Sequence, residues 1–134
     1  MRNIAVYITF LLVGAFLFLC TPTIGGEWPE DCGKNKTHNV FFGTKWYYDR
    51  LLYVNQTVKP KSFARKLSFD VQIPPKNVYQ SGVITYIEVL DQFRNGKGGC
   101  AYLKSGGIGH KNVTLHIKSQ KGEGVNFVIN VYGH

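Results

Sequence analysis

The chain has 134 residues, with 16 basic against 8 acidic side chains and a formal net charge of +8. That length suits a single domain and excludes a two-domain arrangement. Lysine outnumbers arginine four to one after residue 26, where Arg50, Arg65 and Arg94 are the only arginines. Because arginine carries the planar fork that grips phosphate or carboxylate at two points, this balance favours solubility and diffuse attraction to acidic surfaces over precise phosphate recognition.

Residues 1–26 read as a secretory signal peptide. Arg2 precedes an apolar run from Ile4 to Cys20, Pro22 breaks it, and the small residues Thr23 and Gly25 suit cleavage near Gly26 or Glu27. The run is short for a spanning helix, which needs about 20 residues, and no later stretch could cross a bilayer. The expectation is therefore a secreted, extracellular protein whose mature part, 27–134, forms one domain. After cleavage Cys32 and Cys100 remain, and an even pair in an oxidising compartment predicts a disulfide. In the chain-entropy model it would contribute about 4 kcal/mol.

Three tripeptides fit the N-glycosylation rule, at Asn35, Asn55 and Asn112. Asn55 is the favoured acceptor, because the strand pattern of Leu51–Val54 gives way there to the turn-prone Val58–Ser62, whereas Asn112 opens a regular strand.

Period-two patterns follow one another along the mature chain. Lys45–Val54 and Ser62–Ile73 are β-prone, the second stopped by Pro74-Pro75. Gly82–Leu90 alternates with Val83, Thr85, Ile87 and Val89 on one face. Val113, Leu115 and Ile117 define a half-buried strand, and Val125, Phe127, Ile129 and Val131 mark a central one. Glycine-rich turns separate the runs at 95–99, 105–109 and 121–124. The fold class that follows is all-β, a small single-domain antiparallel sandwich or barrel.

No residue set for catalysis stands out, so the expectation is a non-enzymatic protein without catalytic, cofactor-binding or metal-ligating residues. Gly96-Lys97-Gly98-Gly99 lacks the helix and the Lys-Ser or Lys-Thr pair of a phosphate loop. His116 reads as a surface histidine on a polar strand face, while His38, His110 and His134 are scattered. Glu88 and Asp91 fall on opposite faces, with Asp91 expected to bond the backbone of the following turn. The densest basic stretch, Lys59, Lys61, Arg65 and Lys66, is the candidate contact with an anionic surface. Its competing reading is a solvated loop and a lysine-protected sheet edge. Trp46, Tyr47 and Tyr48 are expected to alternate faces and leave at least one ring near the surface.

The C-terminal part resembles a known family. Asp49-Arg50-Leu51-Leu52, Ile84-Thr85-Tyr86-Ile87, Val89-Leu90-Asp91-Gln92, Asn95–Gly99 and Ser105-Gly106-Gly107-Ile108-Gly109 are similar to blocks of the insect multiprotein bridging factor two family, as is the closing stretch Val113–Gly133. The resemblance covers 43–133. It implies, from the family's name, a transcriptional co-activator that bridges a nuclear receptor and the general machinery. The signal peptide points instead to the secreted members, found in insect saliva, gut or haemolymph, which suggests an extracellular binding protein acting in host or pathogen response. Its partner would be an unidentified protein or an anionic surface; direct nucleic-acid binding is not expected.

Overall fold

The computed structural model describes residues 34–134. The expected signal peptide and Cys32 lie outside them. Seven strands follow in order: β1 (Val40–Gly43), β2 (Arg50–Lys59), β3 (Ser68–Ile73), β4 (Ile84–Asp91), β5 (Cys100–Gly106), β6 (Val113–Lys118) and β7 (Val125–Gly133). There is no helix among the described residues, so none is long and apolar enough to cross a membrane.

Every strand pair is antiparallel. Sheet one has the order β1-β4-β7-β2 and sheet two the order β3-β6-β5, which makes the fold a sandwich and not a closed barrel. β7 is central, as expected of a strand that is apolar on one face and mixed on the other. Phe127, Ile129 and Val125 on its inner face have no solvent exposure and meet Val113, Leu115 and Ile117 of β6 in one apolar cluster. Aliphatic β-branched side chains dominate that cluster because they pack well on a pleated surface.

The strands depart from the sequence pattern at several points: β2 begins at Arg50 and not at Lys45, and β3 at Ser68 and not at Ser62. β2 runs on through Lys59, since its continuous ladder with β7, Asn55 opposite Ile129 and Lys59 opposite Val125, outweighs the polar Asn55-Gln56-Thr57. Asn55 is therefore half-buried in mid-strand, its Oδ1 accepting from the Thr57 hydroxyl at 2.7 Å, and is not a turn residue. β1 has no counterpart in the predicted elements. In β4 a register shift between Ile84 and Tyr86 turns Ile84 inward beside Ile87 and Val89, so strict alternation from Val83 fails there. Such an irregularity adds a residue and changes the face of what precedes it.

Because the strands run up and down, the six connections divide between two poles. The loops 60–67, 92–99 and 119–124 lie at one end, and 44–49, 74–83 and 107–112 at the other. At the first end the loops are knitted together. Ser119 N–H donates to Leu67 O, Gly122 N–H to Arg65 O and Gly96 N–H to Lys36 O, while the Gln120 amide reaches Gly96 O and Gly98 O. Beneath them Asp91 accepts from the backbone N–H of Phe93, the turn bond expected of it, and from that of His38, both at 3.0 Å. Gly98 presses on this carboxylate so closely that a Cβ would stand 2.1 Å from it. Gly98 and Gly99 serve packing, Gly96 supplies a left-handed turn at φ 74°, and no phosphate-cradling helix follows them.

Candidate anion-binding pole

The knitting has an electrostatic consequence. Lys59, Lys61, Arg65 and Lys66 lie at the first pole, as the end of β2 and the exposed loop after it. The other connections at that end bring Arg94 and Lys97, then Lys118 and Lys121, and the strand-free segment before β1 brings Lys36. Nine cations from four separate stretches thus share one end of the sandwich. The carboxylates among the described residues there are buried Asp91 and Glu123. Lys59 lies along the side, its ammonium 5.5 Å from the centre of the Phe69 ring, so its stem packs while its charge stays wet. The expected four-residue patch supplies four of these nine cations. The signal that could have revealed the rest is parity: in an up-and-down sandwich, alternate connections fall at the same end, which brings the basic residues of the second and fourth connections together with Lys118 and Lys121 at the sixth.

The opposite pole is aromatic. Trp46, Tyr47 and Tyr48 do not alternate faces, because they sit in the 44–49 loop and not in a strand; all three are exposed, Tyr47 fully. That loop must carry the chain from one edge of sheet one to the other, across three strand spacings or about 14 Å. On the way it crosses the ends of β4 and β7, where Asp49 fastens it. The Asp49 side chain has no solvent-accessible surface although it lies just one layer deep. It accepts from Trp46 N–H at 2.7 Å, the Thr85 hydroxyl at 2.6 Å and His134 Nδ1 at 3.0 Å. Burial raises its affinity for a proton, but the hydrogen bonds from His134, Thr85 and Trp46, with the His134 charge, outweigh this and hold the carboxyl below its usual range.

The remaining candidates are dispersed. Asn35 is exposed in the segment before β1, Asn112 is exposed just before β6, and Asn55 is half-buried in β2. Cys100 opens β5. His38 is buried with Nδ1 on Gly99 O at 3.0 Å, and His110 is exposed in the 107–112 loop. His116 occupies the predicted polar face of β6 but is not isolated, since both its ring nitrogens have side-chain partners on β3. No group of three or more His, Cys, Asp or Glu among the described residues could hold a metal ion.

Against known proteins, residues 42–133 match the family model described as transcription activator MBF2. The chain is also 41% identical over 98 residues to a "Probable salivary secreted peptide" of the bumblebee Bombus ignitus, covering 73% of this chain and 71% of that protein. No solved structure matches. The matched region takes in all of β2 to β7, both poles apart from Lys36 and His134, and the buried apolar cluster between the sheets, and the chain therefore belongs to the MBF2 family.

Proposed function

We propose that this is a secreted insect protein that binds acidic surfaces, such as sulfated glycans or microbial envelopes, through its cationic pole. The observation that carries the reading is the convergence of nine cations from four stretches of chain on one end of the sandwich, with a partly exposed Glu123 as the acidic counterweight. Lysines on short, cross-bonded loops hold a dense charge without the fork geometry that selects one phosphate, so attraction is strong and sequence-tolerant. Extracellular action is supported by the leader-like residues 1–26 and by the relative named as a salivary secreted peptide.

The family description favours a second reading, transcriptional co-activation, which requires a nuclear pool. Expression of the full chain in insect cells with an antibody to the C-terminal region separates the two. Protein in the medium that binds a sulfated-glycan resin and elutes with salt supports the first reading; retention in nuclei, with none exported, overturns it.

A further inference from the structure

The outer face of sheet two carries a chain of hydrogen-bonded side chains away from the tips of the loops. Asp70 lies opposite His116 in the β3–β6 register, and Ser68 stands two residues before Asp70 on the same face of β3. His116 Nδ1 is 2.6 Å from Asp70 Oδ1, and its Nε2 is 2.9 Å from Ser68 Oγ. An ionised carboxylate has no proton to give, so Nδ1 carries the hydrogen and donates it. Nε2 then offers its lone pair to the Ser68 hydroxyl. The Lys104 ammonium, from β5, bonds the other oxygen of Asp70. Hydrogen bonds from Lys104 and His116, aided by their charges, keep the Asp70 carboxyl below its usual range against the opposing effect of burial.

We propose that Ser68, His116 and Asp70 form a nucleophilic triad that hydrolyses small carboxylic esters bearing an anionic group. The links run in the order the chemistry needs, from nucleophile to base to orienting carboxylate, each within hydrogen-bond reach. Ser68 also lines a cavity of about 440 Å³ together with Lys66, Leu67 and Gln120. An ester whose anionic group lies toward the Lys66 ammonium presents its carbonyl to Ser68 Oγ.

Ser68 Oγ attacks the carbonyl carbon and forms the new C–O bond as its proton passes to His116 Nε2. The tetrahedral intermediate collapses, breaking the bond to the alcohol oxygen, and the alcohol leaves with that proton. Water then attacks the acyl-serine and gives a proton to His116. Cleavage of the acyl–Oγ bond returns this proton to Ser68 and releases the carboxylic acid, so water is the only co-reactant. His116 keeps about a quarter of its side-chain surface exposed, so the site is wet and its turnover modest. The activity does not depend on the anion-binding reading of the pole.

The test uses the full secreted protein with the 4-nitrophenyl esters of acetate and of succinate, following nitrophenolate release. S68A and H116Q should each lower kcat/KM about 100-fold, the lower end of what general-base assistance supplies, mainly through kcat. The anionic succinate ester should react faster than the acetate. A fluorophosphonate probe should label Ser68 in the wild type and not in H116Q, with peptide masses locating the adduct. Circular dichroism confirms that the variants fold, and wild-type labelling decides the matter even if one does not. Nitrophenolate release unchanged in S68A, or no adduct on Ser68, overturns the proposal and leaves the three residues as a cross-strand ladder.

Discussion

Replacing Lys59, Lys61, Arg65 and Lys66 together by glutamine removes four of the nine cations at the first pole. When a basic protein binds a polyanion, the slope of log affinity against log salt is proportional to the number of charges engaged. At about 0.7 per contact, nine contacts give a slope of about −6 and five give about −3.5. A fourfold rise in salt then weakens the wild type about 4,000-fold and the quadruple variant only about 130-fold. The control is a second quadruple, Lys45, Arg50, Lys76 and Lys111 to glutamine, which loses the same net charge from the other half of the molecule. The nine residues of β7 span about 30 Å, several times the screening length of about 8 Å at physiological ionic strength, so these substitutions should leave the slope unchanged. Affinity for an immobilised sulfated glycan, measured between about 50 and about 200 mM salt, reads both slopes, with circular dichroism to confirm folding. Equal loss of slope in the two variants would show that net charge alone drives binding and would refute a localised pole.

Phe127 is fully buried between the sheets, so F127A should cost about 3–5 kcal/mol in denaturant unfolding, whereas V128A on the outer face should cost under about 1 kcal/mol; similar costs would mean the faces are reversed. The folded-state pKa of Asp49 is depressed, so its contribution is complete above the unfolded carboxylate value and fades as pH falls through the folded one. The Trp46 amide, bonded to Asp49, should accordingly exchange faster only in strong acid, and a midpoint at or above the ordinary aspartate value would contradict the cage. Peptide mass spectra of protein from insect cells should find glycan on exposed Asn35 and Asn112 more than on mid-strand Asn55; the reverse occupancy would count against placement as the controlling factor. Intact mass with and without reductant should differ by two units for one Cys32–Cys100 bond, and two thiols open to alkylation in the unreduced protein would exclude it.

The pattern of residues was enough for the fold class, for the central place of the last strand and for the family. Alternation over Val125–Val131 and Val113–Ile117 is a local property, imposed wherever one pleated face must leave water, and the chain carries it without reference to its neighbours. Other features depended on partners distant in sequence. β2 extends through Asn55 because a ladder with β7 satisfies its backbone, and no property of Asn55-Gln56-Thr57 announces that pairing. Trp46–Tyr48 stand out from the surface because their loop must bridge two opposite sheet edges. The cationic pole exists because alternate connections fold to one end, which joins the one dense basic stretch legible in the sequence to three sparser ones in a single field. His116 looked like an isolated surface histidine because its partners, Ser68 and Asp70, are 48 and 46 residues away along the chain, and only the β3–β6 register brings them within hydrogen-bond distance.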